Sequence, residues 1–325
     1  MSESRSRIFV SRSLSGIAAS DPLLRLREIS EVDVWSGSKP PEPEELAART
    51  ASAHGLLCLL TDRIDEDFLQ SCPQLRVISS MSVGLDHIDL EAAHRRGIRV
   101  GHTPGVLTET TADLSFGLML AAARRIPEAD RFVRDGQWTF ARRWDPDLLL
   151  GRDVHGAVLG VIGLGAIGRA VAARARGFGM QVLAWNRSGR SHPGVERVAL
   201  DELLRRSDFV SIHVARTPET LGLLGPDEIA ACKPGAVLVN AARGGIVDED
   251  ALAKALASGH LFAAALDVFA EEPLDPMSPL RRAPNLVLAP HIGSASMATR
   301  LRMAALAVEN LIAGLQGDPM PHQAR

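Results

Sequence analysis

A glycine-rich turn near the middle of the chain limits the folds that are available to it. An apolar run, Ala157–Ile162, leads into Gly163-Leu164-Gly165-Ala166-Ile167-Gly168, and a helix-like stretch follows. In a strand–turn–helix of this kind, Gly163 permits the tight turn, Gly165 leaves room for a pyrophosphate, and Gly168 lets the helix pack close to the strand. The helix N-terminus adds N–H donors and the positive end of a dipole. The segment therefore predicts a dinucleotide-binding α/β domain with residues 163–168 at the cofactor.

Short apolar runs alternate with helical patterns along the rest of the chain. The predicted strands are Arg7–Ser11, Val32–Trp35, Gly55–Leu60, Arg76–Ser82 and Ile98–His102, and then Val158–Ile162, Gln181–Trp185, Asp208–Val214, Ala236–Asn240, Phe262–Val268 and Val287–Ala289. Because strands alternate with helices, each series predicts a parallel sheet with helices on both faces. We expect an α/β protein of two doubly wound parallel-sheet domains, Rossmann-like or flavodoxin-like, with an active-site cleft between them.

The longer helical stretches set the expected domain boundaries. Thr108–Arg125 predicts one helix, and Ser294–Leu315 predicts a final helix that returns to the first domain. We expect residues 1–102 and 292–325 to form a discontinuous substrate-binding domain, and residues 103–291 to form the cofactor-binding domain. Within the latter, residues 126–150 carry Trp138, Phe140 and Trp144 among many charges, without clear periodicity. Such an arm suits a subunit contact, and we expect a homodimer, with a higher assembly left open.

Composition excludes several classes of partner. The chain has 325 residues, 46% of them hydrophobic and 23% charged, and a formal net charge of −3. This balance gives no electrostatic reason to expect a nucleic-acid or membrane-surface partner, and no apolar stretch reaches the length of a membrane span. Cys58, Cys72 and Cys232 are widely spaced, which favours free thiols in a reducing, cytoplasmic compartment. No histidine–cysteine cluster has the spacing of a zinc site, so we expect no metal.

The residues after the second strand of the cofactor domain bear on the choice of cofactor. An NAD site usually carries Asp or Glu there, which accepts a hydrogen bond from the ribose 2′-hydroxyl. This chain has Asn186-Arg187-Ser188, with Arg190 close behind. A guanidinium can pair with a 2′-phosphate through two charge-assisted hydrogen bonds. The pattern predicts that NADPH is preferred and leaves NAD possible; the alternative is that Arg187 is an ordinary solvated loop residue.

Three polar residues follow three separate strands of the cofactor domain. Arg243, Glu272 and His291 each come just after a predicted strand. The carboxyl ends of parallel strands meet at one edge of a sheet, where α/β proteins bind ligands. Arg, Glu and His together would supply an anion clamp, a carboxylate that orients the imidazole, and a proton donor. Each residue alone is more often an ordinary loop or core residue; the coincidence of all three with a dinucleotide turn favours an active site.

The segments around these residues resemble those of the D-isomer-specific 2-hydroxyacid dehydrogenase family, over nearly the whole chain. The matching stretches are Asn240–Asp248, Ala265–Leu274, Pro290–Ala295, Met81–Asp89, His102–Thr108 and Thr110–Asp113. Within the family, Ala53–Leu60, Met81–Gly84 and Asn310–Pro321 are most similar to the glyoxylate and hydroxypyruvate reductases.

The resemblance implies roles for individual residues. Arg243 would hold the substrate carboxylate and polarise its carbonyl, His291 would donate the proton, and Glu272 would keep His291 protonated. The backbone N–H groups of Val83 and Gly84 would bind the carboxylate from its other side. The remaining implied contacts are Trp138 with the partner subunit's substrate, and Leu164, Ala166, Ile167, Ala215, Ala241, Asp267, Gly293 and Ser294 with the cofactor.

The resemblance implies NADPH-dependent reduction of glyoxylate and hydroxypyruvate to glycolate and D-glycerate. Two alternatives stay open. One is another dehydrogenase of the same fold, such as a phosphoglycerate dehydrogenase. The other is a dinucleotide-sensing transcriptional corepressor, which shares the fold and the polar residues but needs a peptide groove or long flexible tails. The preferred acid is not fixed, because a pocket that distinguishes substrates by one CH₂OH group contributes only about 1–3 kcal/mol.

Overall fold

The computed structural model describes residues 5–17, 21–187, 189 and 192–324. The chain divides into two compact units. Unit 1 comprises Met1–Leu107 and Ser294–Arg325, and unit 2 comprises Thr108–Gly293. Unit 2 is therefore one uninterrupted segment, and unit 1 is built from the two segments that flank it.

Unit 1 contains a parallel sheet of five strands. They are β1 (Ser6–Val10), β2 (Ser30–Val34), β3 (Gly55–Cys58), β4 (Val77–Ser80) and β5 (Arg99–Gly101), in the spatial order β2-β1-β3-β4-β5. This is the order of a flavodoxin-like sheet, as the strand–helix alternation predicts. The core strands are apolar on both faces because helices cover both, and Phe9, Leu56 and Ile78 are fully buried.

Four short helices connect these strands, and their ends carry local signals. The helices are α1 (Leu24–Ile29), α2 (Pro43–Thr50), α3 (Glu66–Ser71) and α4 (Leu90–Arg95). The Asp65 carboxylate accepts a hydrogen bond from the Phe68 N–H at 3.0 Å, and Asp89 accepts one from Ala92 at 2.9 Å. Each carboxylate satisfies an N–H group that the first helical turn leaves unpaired, so Asp65 and Asp89 fix where α3 and α4 begin.

Unit 2 contains a parallel sheet of seven strands. They are β6 (Val158–Ile162), β7 (Gln181–Trp185), β8 (Glu196–Arg197), β9 (Phe209–Ile212), β10 (Val237–Asn240), β11 (Ala263–Leu266) and β12 (Leu286–Leu288). Their spatial order is β12-β11-β10-β9-β6-β7-β8, which is the Rossmann order with one extra strand. The strand order reverses between β6 and β9, and ligands bind to such sheets at the carboxyl side of this switch point.

The helices of unit 2 include one that the sequence analysis missed. They are α5 (Thr108–Ala123), α6 (Ile126–Arg134), α7 (Ala166–Gly177), α8 (Leu200–Arg206), α9 (Pro226–Ala231) and α10 (Glu249–Ala257). The first part of the predicted aperiodic arm is helix α6, which begins after Arg125 turns the chain with φ of 53°. Ile126, Ala129 and Val133 recur at helical spacing, so the pattern was present. None of the α6 residues is buried.

The last helix, α11 (Met297–Gln316), belongs to unit 1 and contacts β3, β4 and β5. The Ser296 hydroxyl accepts a hydrogen bond from the Thr299 N–H at its start, and Gly317 ends it with φ of 83°. Met303, Ala307 and Leu311 are buried in the apolar core beneath the sheet. Among the helices of the described part of the chain, none is both long and apolar enough to span a membrane.

Candidate active site

The glycine-rich turn after β6 has the shape that a pyrophosphate requires. Gly163 has φ of 99°, and a Cβ there would lie 2.7 Å from the His213 carbonyl carbon. A Cβ on Gly168 would overlap the Gly163 carbonyl oxygen, so only glycine lets α7 start this close to the strand. A Cβ on Gly165, by contrast, would meet nothing within 4 Å. The turn is therefore closely packed at Gly163 and Gly168 but open at Gly165, and these residues fit a dinucleotide.

The other predicted cofactor contacts in unit 2 lie around this turn. Leu164 and Ile167 pack partly buried against the core, and Ala166 is the first residue of α7. Ala215 follows β9, and Ala241 follows β10 directly. Since all the strands are parallel, these alanines lie at the same carboxyl edge of the sheet as the turn.

Arg187 lies in the loop after β7 and faces an acidic residue. Its Nη1 atom is 3.6 Å from the Glu219 Oε2 atom, and the two side chains are 75% and 64% exposed. The pKa of Glu219 lies below its usual value because Thr217 hydrogen-bonds to it, and the charge of Arg187 adds to this effect. Asn186 precedes Arg187 and is partly buried, whereas Ser188 and Arg190 lie outside the described residues.

Arg243 is held in a turn that follows β10. The side chain of the buried Asn240 donates to the Arg243 carbonyl at 2.9 Å and accepts from the Ala242 N–H at 3.1 Å. The Arg243 Nη1 atom donates to the Ala242 carbonyl at 2.9 Å. Two hydrogen bonds from one amide thus fix the backbone that presents the guanidinium.

Gly244 brings the Arg243 turn against the loop that carries Glu272. A Cβ on Gly244 would overlap the Phe269 carbonyl, so the two backbones are in direct contact. The Ala270 N–H donates to the Glu249 carboxylate at 2.6 Å, and burial raises the pKa of Glu249. The position of Glu272 is therefore tied to the backbone around Arg243 and to the first residue of α10.

Glu272 and His291 form a hydrogen-bonded pair. The His291 Nδ1 atom is 2.8 Å from the Glu272 Oε2 atom, and the side chains are only 24% and 30% exposed. The other oxygen, Oε1, accepts from the Phe269 N–H at 3.0 Å. Burial would raise the pKa of Glu272, but the hydrogen bond and charge of His291 outweigh it, so this pKa is lowered. Glu272 is thus ionised at neutral pH, and Nε2 is the ring nitrogen of His291 available for proton exchange.

Asp267 fixes the turn on which His291 lies. His291 has φ of 54°. This left-handed backbone conformation is unfavourable for residues other than glycine. The buried Asp267 carboxylate accepts hydrogen bonds from the Ile292 N–H at 2.7 Å and the Gly293 N–H at 2.8 Å. Burial raises the pKa of Asp267, and these hydrogen bonds offset part of the rise. The Gly293 carbonyl in turn accepts from the Thr111 hydroxyl at 3.1 Å.

Two predicted substrate contacts lie in unit 1 and one lies in the arm. Val83 and Gly84 are in the loop after β4, at the carboxyl edge of the five-stranded sheet. Ser294, a predicted cofactor contact, is the first residue of the second segment of unit 1, which carries α11. Trp138 lies between α6 and the short 3₁₀ helix Phe140–Arg142 and is 55% exposed.

Several residues that position the site are not predicted from the sequence. Asn240, Gly244, Glu249 and Thr111 are recognisable only once the backbone groups they contact are known. The one signal in the sequence is Asn240 at the end of an apolar strand, because a buried asparagine needs hydrogen-bond partners for its amide. Among the described residues, no group of three or more His, Cys, Asp or Glu side chains could hold a metal ion.

Comparison with known proteins gives consistent matches. Residues 116–293 match the sequence profile of the D-isomer specific 2-hydroxyacid dehydrogenase, NAD binding domain. The chain is 46% identical to a glyoxylate reductase of Korarchaeum cryptofilum, over 97% of this chain and 95% of that protein. It is 44% identical to the human glyoxylate reductase/hydroxypyruvate reductase, over 91% of each chain.

A solved structure agrees with these matches. The NADPH-dependent glyoxylate/hydroxypyruvate reductase of Sinorhizobium meliloti, in complex with NADP and malonate, superposes with a TM-score of 0.87. The two chains are 32% identical, over 99% of this chain and 97% of that one. Likeness therefore extends through both units and includes the segments that carry the candidate site.

Proposed function

The chain belongs to the D-isomer specific 2-hydroxyacid dehydrogenase family, and from this premise we propose that it reduces glyoxylate and hydroxypyruvate to the 2-hydroxy acids with NADPH. Family membership makes it an NAD(P)-dependent oxidoreductase that acts on CH–OH groups. The observation that carries the proposal is the Glu272–His291 pair, at 2.8 Å, on the same sheet edge as Arg243 and the glycine-rich turn. This arrangement supplies a proton and a cation where a carbonyl reduction needs both.

His291 is the proposed proton donor. When bound, NADPH would supply the hydride for the carbonyl carbon, and the carbonyl oxygen would then require one proton to become a hydroxyl. Because Nδ1 is engaged by Glu272, we assign the donated proton to Nε2. An ionised carboxylate at Nδ1 favours the protonated ring over the neutral one, as a general acid requires. In the direction of oxidation, the neutral ring accepts the hydroxyl proton.

Arg243 is the proposed electrophile and carboxylate clamp. Negative charge develops on the carbonyl oxygen during reduction, and a fixed guanidinium stabilises that charge without reorganising. The fork of a guanidinium also matches a carboxylate. We assign the second set of donors for the carboxylate to the backbone N–H groups of Val83 and Gly84.

The direct test is an absorbance assay. Purified protein, NADPH and glyoxylate or hydroxypyruvate should give a loss of absorbance that depends on the acid. 3-Phosphoglycerate with NAD tests the alternative dehydrogenase activity. A protein that binds NADPH and turns over none of these acids would contradict the proposal and favour a dinucleotide sensor.

Arg187 is the proposed determinant of NADPH preference. An exposed ion pair contributes only about 0–1 kcal/mol, so the contact with Glu219 leaves the guanidinium free to bind a 2′-phosphate instead. Asn186→Asp combined with Arg187→Ala should shift the ratio of kcat/KM for NADPH and NADH towards NADH by about 1–3 kcal/mol. Steady-state kinetics with both cofactors measure this. Arg205→Ala, which removes another exposed ion-paired arginine of unit 2, is the control. An unchanged ratio in the double variant would rule out the assignment.

Glu272 should set the pH range of reduction. The sign follows from its lowered pKa: the carboxylate is ionised at neutral pH, and its charge favours protonated His291. Glu272→Gln removes that charge, so the protonated ring is lost at lower pH. The high-pH limb of kcat/KM for glyoxylate should therefore move to lower pH. Profiles of the wild type and the variant measure the shift, and a limb that stays in place would mean that Glu272 does not tune the proton donor.

The arm supports the proposed homodimer. Several of its large apolar side chains are more than half exposed: Ile126, Val133, Trp138, Phe140, Trp144 and Leu150. Apolar surface of this extent favours a protein contact, and sedimentation equilibrium measures the resulting mass. We propose a cytoplasmic setting, which agrees with three buried free cysteines.

A further inference from the structure

The Val83 carbonyl is held by a histidine side chain of unit 1. The His102 Nδ1 atom lies 3.0 Å from the Val83 carbonyl oxygen. Because a carbonyl oxygen only accepts hydrogen bonds, this contact requires the proton to be on Nδ1. The Val83–Gly84 peptide is trans, so its C=O and N–H bonds point in opposite directions within one plane. By fixing the Val83 carbonyl, His102 therefore fixes the direction of the Gly84 N–H.

His102 is itself held by the end of the chain. The His102 N–H donates to the His322 carbonyl at 3.1 Å, and the buried Asn310 side chain donates to the His102 carbonyl at 2.8 Å. Asn310 Oδ1 also accepts from the His322 N–H at 2.9 Å. One amide of α11 thus joins the residue after β5 to the last segment of the chain.

The rest of the loop is hydrogen-bonded in the same way. The Ser82 hydroxyl donates to the Gly84 carbonyl at 2.7 Å, and the Ser82 carbonyl accepts from the Thr103 N–H at 2.8 Å. Ser80 lies 2.7 Å from the Ser82 hydroxyl and 3.0 Å from the His87 Nε2 atom. The carbonyls of Ser82, Val83 and Gly84 are therefore all bound within unit 1, and within the described residues the N–H groups of Val83 and Gly84 make no hydrogen bond.

We propose that His102 is a positioning residue for substrate binding: its hydrogen bond to the Val83 carbonyl aims the Gly84 N–H at the carboxylate of the 2-oxo acid. The proposal rests on the proposed function, which assigns the carboxylate to this loop. It adds that a side chain remote in sequence, supported by the final residues of the chain, preorganises the donor. Preorganised donors bind an anion without the cost of ordering the loop during binding.

Two substitutions at position 102 separate the hydrogen bond from bulk. His102→Leu replaces the ring with an apolar side chain of similar size and so removes the hydrogen-bond donor. His102→Asn retains one, because the asparagine Nδ2 branches from the chain at the same point as the histidine Nδ1. His102→Leu should raise the KM for glyoxylate about 3- to 10-fold, the effect of one net hydrogen bond, with kcat and the KM for NADPH within about twofold of wild type. His102→Asn should restore most of the affinity for the acid.

A second readout is independent of turnover. Oxalate, a carboxylate of nearly the size of glyoxylate, is titrated calorimetrically into the NADPH-bound protein, and its Kd should follow the KM across the variants. His54→Leu is the matched control, because His54 Nδ1 also bonds to backbone in unit 1, at 3.0 Å from the Arg7 nitrogen. It should leave both constants unchanged.

The outcomes distinguish this inference from the function on which it rests. A wild type that reduces glyoxylate, with no change of KM or oxalate Kd in His102→Leu, overturns the positioning role alone. The same holds if Leu and Asn weaken oxalate binding equally, or if His54→Leu does so as well. A wild type that reduces neither acid but binds oxalate overturns the proposed function, and the oxalate constants still decide the role of His102. A wild type that neither reduces these acids nor binds oxalate overturns both.

Discussion

His291→Ala should lower kcat for glyoxylate reduction by about 10²–10⁴-fold, the contribution of a positioned general acid. The variant retains a site for hydride transfer but leaves the developing alkoxide to take its proton from water. Because the same ring is assigned to accept the proton in the reverse direction, oxidation of glycolate should fall by a similar factor. Stopped assays in both directions, with saturating cofactor, measure the two losses.

The control for this variant is another histidine of unit 2. His155 is exposed, and its Nδ1 atom lies 3.2 Å from the backbone carbonyl oxygen of Phe178. His155→Ala should keep near-wild-type activity, and both variants should bind NADPH with unchanged affinity, which fluorescence titration measures. A loss below about tenfold in His291→Ala would show that another group donates the proton.

Arg243→Ala should lower kcat/KM roughly 10²–10³-fold, which corresponds to about 3–4 kcal/mol of transition-state stabilisation. Removing one preorganised donor from an oxyanion site has an effect of this size. Both kcat and KM should worsen, because Arg243 is assigned to the bound carboxylate and to the charge that develops on the carbonyl oxygen. The expected losses are measured with glyoxylate at saturating NADPH.

Two comparisons test the assignment of Arg243. Arg243→Lys keeps the charge but loses the planar fork, so its loss should be intermediate. Arg205→Ala removes an exposed, ion-paired guanidinium and should have little effect. If Arg243→Ala raises KM and leaves kcat unchanged, Arg243 binds the acid but does not stabilise the transition state.

The predicted fold is confirmed, and the reason lies in the buried strands. Val158–Ile162 and Gln181–Trp185 are predicted to the residue, because parallel strands covered on both faces appear as continuous apolar runs. Strand β8, Glu196–Arg197, was missed because it is two exposed charged residues at the edge of the sheet. Helix α6 was missed because its apolar stripe faces no core within the chain, so its periodicity was interpreted as an irregular arm.

Some residues of the candidate site can be predicted from the sequence and others cannot, because many of the residues in contact there lie far apart along the chain. Glu272 and His291 follow strands, and such residues can be assigned to one sheet edge from the strand pattern alone; the structure adds their 2.8 Å contact. No local pattern reveals that Asp267 holds the backbone after His291, or that Gly244 lies against Phe269. Those contacts depend on where loops from different strands meet, which local sequence patterns do not report. The roles of these residues in catalysis stay predictions.

The uninterrupted course of unit 2 has a consequence for how such proteins diversify. The glycine-rich turn, Arg243, Glu272 and His291 all lie between Thr108 and Gly293. The ends of this segment are close together, because the Thr111 hydroxyl bonds to the Gly293 carbonyl at 3.1 Å. A segment with adjacent ends can be inserted into a host fold at little entropic cost. Exchange of this one segment would carry all the candidate cofactor-turn and catalytic residues of unit 2 together and leave the loop at Val83 with the flanking segments.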